Sequence, residues 1–168
     1  KGKGLPKSEI SADGEYKCIH YGELFLKYNE VIKDIISRTS INEKRFLSKS
    51  NDILMPTSDV TPNGLATASC LNEDNVILGG DVLIIRQKQK LLDGVYFAYH
   101  VSNNKKEIMR LVSGSTVYHL YGSDMKTLLI NIPCLEEQQK IATYLSNIDT
   151  KIEAVNNQIT QTQTFKKG

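Results

Sequence analysis

The run Arg86-Gln87-Lys88-Gln89-Lys90 alternates cationic and amide side chains. If extended, it points Arg86, Lys88 and Lys90 to one side and Gln87 and Gln89 to the other. Cations on one side suit phosphate neutralisation, while a Gln amide can pair bidentately with adenine in the major groove. The same pentapeptide also fits a solvated polar loop. A second candidate is Ser113-Gly114-Ser115-Thr116-Val117-Tyr118-His119. Small hydroxyl residues around a glycine let backbone N–H groups approach a phosphate, and Tyr118 and His119 add stacking faces or donors. It reads equally as a turn between a helix and a strand. Tyr21, Lys27, Tyr28, Arg38 and the loop Thr57-Ser58-Asp59-Val60-Thr61 are candidate extensions of such a surface.

Groupings that superficially suggest catalysis are weaker. Asp13, Glu15 and Lys17 resemble a nuclease's carboxylates and lysine, but only Gly14 separates the two acids, where such enzymes place the first acid on a separate element. Cys18 with His20, or Ser115 with His119, lacks an orienting third group. There is no Pro-Pro dipeptide for an amino-group methyltransferase motif, no phosphate-binding or dinucleotide-binding glycine pattern, and no nucleophile elbow. The three cysteines (Cys18, Cys70, Cys134) form no CxxC pair, and His20, His100 and His119 have no helical His partner. Neither a disulfide framework nor a zinc site is expected; a reduced, cytoplasmic protein is.

The elements that must position these residues are short at first and long at the end. Residues 16–20 read as a strand, and Val31, Ile32, Ile35 and Ile36 sit at helical spacing. Residues 57–69 read as a polar loop or hairpin, punctuated by Pro62 and Asn63-Gly64. Gly79-Gly80-Asp81 is a turn into residues 82–85, a strand expected to be fully buried because it does not alternate. Residues 96–101, a further helix near residues 105–111 and a strand over residues 127–132 complete a mixed α/β (α+β) globular part. Composition changes at Ile132-Pro133: after Pro133 there is no further Pro, and no Gly until Gly168. Two units are expected, residues 1–132 and residues 133–168.

In the second unit Ile141, Leu145, Ile148, Ile152, Val155, Ile159 and Thr162 repeat at alternating spacings of four and three residues. That 3.5-residue period marks a coiled-coil seam on a long helix, with Glu136 and Glu137 suited to its first turn. So narrow a stripe forms no core alone and calls for a partner helix; an amphipathic helix folded back on the globular part is the alternative.

A length of 168 residues fits one domain, or one domain plus an appendage. Abundant Ile and Leu exclude disorder as the main state, and no apolar run approaches the ~18 residues of a membrane span. A net charge of +2 argues, if anything, mildly against a nucleic-acid binder. The N-terminal Lys-Gly-Lys-Gly-Leu-Pro has neither an initiator Met nor a signal-peptide core, and is expected to lie inside a longer gene product.

Pro133-Cys134-Leu135-Glu136-Glu137-Gln138-Gln139-Lys140-Ile141-Ala142, with Leu145-Ser146, Ile148-Asp149 and Lys151-Ile152-Glu153 beyond it, resembles a specific signature. It is similar to the Pro-x-Leu-x-Glu-Gln-x-x-Ile-Ala segment that opens a conserved-region helix in type I restriction-modification specificity subunits. Gly2-Lys3-Gly4-Leu5, Gly80-Asp81-Val82-Leu83, Ser113-Gly114-Ser115-Thr116 and the closing Phe165-Lys166-Lys167-Gly168 fit the same family. The resemblance implies one target-recognition domain reading half of a bipartite double-stranded DNA site, followed by a helix for dimerisation and subunit docking. It implies no catalysis and no cofactor in this chain. S-adenosylmethionine would sit on methyltransferase (modification) subunits, and ATP and Mg on restriction/translocase subunits. The family's second domain and intervening helix are missing, leaving two cases: an excised C-terminal half, or a half-subunit that homodimerises. A protein-interaction adaptor and a small hydrolase built on Cys18 or Ser115 are the competing classes.

Overall fold

Short apolar runs broken by turn residues give short elements. The computed structural model describes residues 1–41 and 46–166. After a 3-10 turn (Lys7–Glu9) come β1 (Tyr16–Ile19), α1 (Glu23–Leu26), β2 (Val31–Ile32) and β3 (Arg38–Thr39). Next are β4 (Phe46–Leu47), β5 (Asp52–Pro56), β6 (Ser58–Asp59), α2 (Pro62–Leu65) and β7 (Ser69–Leu71). β8 (Ile77–Leu78), β9 (Val82–Ile85), α3 (Gly94–Asn103) and α4 (Lys105–Met109) follow. The chain closes with β10 (Ser113–Gly114), β11 (Tyr118–His119), α5 (Gly122–Met125) and α6 (Leu135–Phe165).

The sheet β2-β7-β5-β9 is the middle layer of this mixed α/β fold. Along β5, Ile53 and Met55 face one core cluster, with Leu83, Phe97, Ala98 and Val101. Leu54 faces the other, with Ile19, Leu71, Leu78 and Val82. α3 covers the first face, and the sheet β3-β1-β8-β4 contributes to the second. A strand covered on both faces has no polar side, so β5 reads as an apolar run. β9 is an edge strand: Val82 and Leu83 are buried, whereas Ile84 and Ile85 are half-buried, so the expectation of full burial holds only for its first half. α3 is anchored at its start. Asp93 Oδ1 accepts from Tyr96 N at 2.9 Å, capping the helix. Gly94 N donates to Asn51 Oδ1 at 2.7 Å, and a Cβ on Gly94 would lie 2.7 Å from both that oxygen and Cys70 Sγ.

Three sequence expectations are corrected. Val31 and Ile32 form a strand parallel to β7, not a helix; Ile32 and Ile35 pack into the core while Ile36 is 62% exposed. Residues 57–69 hold β6, which pairs with β11, and α2, with Leu65, Ala66 and Ala68 buried, rather than a polar loop or a local hairpin. Residues 127–132 have no ladder partner among the described residues; Leu128 and Ile130 pack on the core while Leu129 is 92% exposed, an extended strap without a sheet.

α6 has 31 residues, about 46 Å at 1.5 Å per residue. Its first half lies on α3. Gln138 and Ala142 are buried, Tyr99 Oη donates to Asp149, and Lys33 Nζ reaches Glu153 Oε2 at 2.8 Å. Beyond Thr150 every described residue is exposed. The seam lies roughly a quarter turn from the docking face, at 100° per residue. Ile141, Leu145 and Ile148 are half-covered, whereas Ile152, Val155 and Ile159 are 52%, 52% and 49% exposed. Thr162 is exposed, its hydroxyl bonded back to Gln158 O. The two readings of the helix thus divide along its length: folded back first, unpartnered afterwards. Lys167 and Gly168 lie outside the described residues. Among the described residues no helix is long and apolar enough to cross a membrane.

Candidate nucleic-acid interface

The sequence candidates fall into three separate places rather than one surface. Lys27, Tyr28 and Arg38 lie around α1 and the edge strand β3. Residues 86–90 leave the far end of β9, beside the base of α6. The remainder, Thr57, Ser58, Thr61 and residues 113–119, gather on the sheet β10-β11-β6 near the start of β9.

In the first place the side chains are engaged in structure. Lys27 Nζ pairs with the buried Glu23 carboxylate at 2.9 Å, which also accepts from His20 N at 2.8 Å. Tyr28 is buried in the core cluster with Leu24 and Ile32, and burial pushes its phenol up to about 12. As a candidate extension of an exposed surface it is instead almost wholly buried. Arg38 Nη1 donates to the carbonyls of Glu15 and Gly14 at 3.3 and 3.4 Å, steadying the bend that precedes β1.

The second place changes most. Residues 86–92 fold into a loop instead of an extended strand, so the expected two-sided alternation is absent. Arg86 turns inward: Nε and Nη2 meet Asp52 Oδ1 and Oδ2 at 2.7 and 2.6 Å, and the guanidinium lies 5.2 Å from the Phe46 ring centroid. Asp52 is buried, and a buried carboxylate demands a bidentate cation. Gln87 is likewise occupied. Its Oε1 accepts from Leu91 N and Leu92 N at 3.0 and 2.8 Å, and its Nε2 donates to Leu92 O at 2.7 Å. Arg86 and Gln87 are thus both engaged within the fold, and either would have to give up these bonds to contact DNA. Lys88, Gln89 and Lys90 are exposed, with no ion-pair partner among the described residues. They border a hollow of about 560 Å³ shared with Asn51, Leu135 and Gln139.

That loop is tied to the long helix by a residue to which sequence reasoning assigned no role. Gln138 is fully buried; its Oε1 accepts from Asp93 N at 2.8 Å, and its Nε2 donates to Pro133 O and Leu91 O at 2.9 and 3.0 Å. An amide inside an otherwise helix-forming signature was the available signal. Asp52, interrupting the approach to an apolar strand, was another.

In the third place β11 pairs with β10 and β6, setting Ser113, His119 and Ser58 on one rung and Gly114, Tyr118 and Asp59 on the next. Gly114 has φ +115°, and a Cβ there would meet Val117 O at 2.2 Å, so the hairpin requires glycine. Tyr118 packs against the core, while His119 stacks on Tyr121 at 5.9 Å and 24°. Thr57 is buried and positions the sheet: its N donates to Asp81 O, and its carbonyl accepts from Leu120 N. Thr61 Oγ1 donates to Asp59 Oδ2 at 2.8 Å. Ser115 and Thr116 are exposed at the hairpin tip. Asp81 and His119 line a cavity of about 360 Å³. The hydrogen bond from Lys1 holds the Asp81 carboxyl below the usual carboxylate range.

The catalytic groupings gain no support from geometry. Cys18 is buried, and burial pushes its thiol up to about 11. Ser113, not Ser115, lies opposite His119. Lys17 is paired with Glu73 at 2.7 Å.

A family model described as "Type I restriction modification DNA specificity domain" matches residues 1–162. The MjaVIII specificity subunit of a type I restriction enzyme from Methanocaldococcus jannaschii is 27% identical over 141 residues, covering 83% of this chain and 32% of the relative. A putative MjaX specificity subunit from the same organism is 31% identical over 93 residues, covering 54% and 22% respectively. The chain thus spans a third or less of these relatives. Among solved structures, the type I S subunit from M. genitalium superposes with a TM-score of 0.62 at 22% identity, over 94% of this chain and 37% of that one. The HsdS subunit from Thermoanaerobacter tengcongensis gives 0.59 at 18% identity, over 91% and 35%. At these identities the structural likeness bears on the fold.

Proposed function

The chain belongs to the type I restriction-modification DNA specificity family, and from that premise we propose that it reads one half of a bipartite double-stranded DNA site. Residues 1–132 act as the target-recognition unit, and residues 133–168 as the helix for dimerisation and docking. Methyltransferase subunits carrying S-adenosylmethionine methylate adenine, and restriction/translocase subunits use ATP and Mg; this chain supplies recognition in the cytoplasm and no chemistry. The observation that carries the reading is the family match, which runs across both the globular part and the helix. Co-expression with cognate methyltransferase subunits, followed by mapping of methylated adenines, tests it. A symmetric bipartite motif means two identical halves, an asymmetric one means a different second half, and no methylation directed by this chain refutes the reading.

Lys88 and Lys90 serve as phosphate contacts on this proposal. Lys88→Ala is expected to weaken binding to all duplexes alike and to flatten the slope of log K against log salt by about 1. A sequence-dependent loss, measured by titration at several salt concentrations, would count against that role. Gln89 is the amide of the loop available for base-edge pairing.

The exposed seam supports pairing with a second helix, from another copy of this chain or from a second specificity half. Ile152→Asp with Ile159→Asp is expected to abolish that pairing, read by light scattering. The melting temperature of the globular part should hold, because both side chains are about half exposed and lie on the seam, away from the face that docks on the globular part. A native chain that is monomeric, and that pairs with no second half on co-expression, would refute the seam's role.

A further inference from the structure

We infer that Gln138, in the first turn of α6, is a positioning residue for DNA binding: it braces the loop that carries Lys88 and Lys90 in the shape in which those lysines meet phosphate. This rests on the phosphate role proposed above for the two lysines. The Gln138 side chain is fully buried, so it acts through the loop and not by touching DNA. Between β9 and α3 the exposed apex of the loop, Lys88, Gln89 and Lys90, is closed from both sides by amide side chains. On the entry side Gln87 accepts from Leu91 N and Leu92 N and donates to Leu92 O. On the exit side Gln138 donates to Leu91 O at 3.0 Å and accepts from Asp93 N at 2.8 Å, gripping the backbone that follows the apex. Its other amide hydrogen goes to Pro133 O at 2.9 Å, in the segment that leads into α6. Two carbonyls and one N–H meeting at a buried point call for two donors and one acceptor on one side chain, which a primary amide supplies.

The brace matters for binding because of when the loop is ordered. An unbraced loop samples many shapes and loses that freedom when it closes on a phosphate backbone, whereas a loop held beforehand does not. Gln87 closes the loop on itself, but Gln138 reaches it from forty-five residues further along the chain, on a different element. Leu135 and Gln139, in the same stretch of α6, border the hollow that Lys88, Gln89 and Lys90 also line. The seating of α6 and the shape of the basic loop are therefore joined through one side chain. Such coupling is reciprocal: if a seated helix strengthens DNA binding, bound DNA strengthens the seating of the helix by the same factor.

The test is a double-mutant cycle on the complete chain, titrated with a fluorescent duplex of mixed sequence at low salt, since phosphate contacts carry no base information. Titrations are run at a temperature at which circular dichroism finds every variant folded. Gln138→Ala is expected to weaken binding about tenfold, the factor for ordering roughly one residue of backbone at the moment of binding. In a chain that already carries Lys88→Ala and Lys90→Ala, the same substitution should change affinity by less than about twofold, because the loop no longer contributes. A loss of folded protein would weaken both backgrounds alike. Should Gln138→Ala fail to fold, hydrogen exchange at Asp93 N, whose hydrogen Gln138 accepts, gives the reciprocal readout. Saturating duplex should slow it about tenfold in the native chain and leave it unchanged in the chain lacking both lysines. No loss on Gln138→Ala, equal losses in both backgrounds, or an Asp93 amide indifferent to DNA overturns the inference while the phosphate role of the lysines stands. If removing both lysines leaves affinity unchanged, that role fails and the inference falls with it; if the native chain binds no duplex, the DNA-binding reading itself fails.

Discussion

Arg86→Met is expected to destabilise the chain by about 3 kcal/mol, the low end for breaking a buried ion pair because the guanidinium is partly exposed. The cause is the group left behind. The Asp52 side chain is 1% exposed against 31% for Arg86, and among the described residues it retains only the hydrogen bond from Lys49 N at 2.8 Å once both guanidinium bonds are gone. For a chain of this length the loss corresponds to a fall in melting temperature of roughly 6–12 °C. Asp52→Asn together with Arg86→Met should recover much of it, because the uncompensated charge is then removed. Thermal melts of the two single variants and the double variant check this through a double-mutant cycle. Equal, additive losses would show that the pair is not coupled and that Arg86 is available for another partner.

Gln138→Ala has the second largest expected effect, and its location is more informative than its size. Three backbone groups, Asp93 N, Leu91 O and Pro133 O, lose a fully buried side-chain partner, about 1 kcal/mol each. Hydrogen exchange should report the damage locally, as lost protection over residues 135–149 and the loop before α3, with β5 and β7 unchanged. Gln138→Glu keeps the shape but sets a carboxylate oxygen against two carbonyls. It should therefore be at least as damaging at neutral pH and milder once acid protonates it. A uniform decrease in protection across the chain would mean that Gln138 supports the core rather than the joint.

Long-period features were legible in the sequence and tertiary features were not. α6 announces itself because seven positions keep one period, and α3 and α4 because their apolar residues have room to repeat. A two-residue strand has no period, so β2 was hidden behind the spacing of Val31, Ile32, Ile35 and Ile36, which mimics a helix until parallel pairing with β7 is known. Residues 127–132 show the converse: the in-out pattern of Leu128, Leu129 and Ile130 is a strand's, but no neighbour offers an edge. For the interface, residue type pointed to Arg86 and Gln87, while their partners, thirty-four residues upstream and within the loop itself, were not legible in the sequence.

The angle between the two faces of α6 has a mechanical meaning. The globular part grips one side of the helix as far as Glu153, and the open stripe continues on another side with no loop or glycine between them. Each helical residue advances the axis by 1.5 Å and turns it by 100°. A partner seated on the stripe is therefore held at a bearing and a range fixed by residue number, as on a graduated ruler. On the proposed function, the reach and azimuth of a second recognition unit would be set by this helix before any DNA is bound.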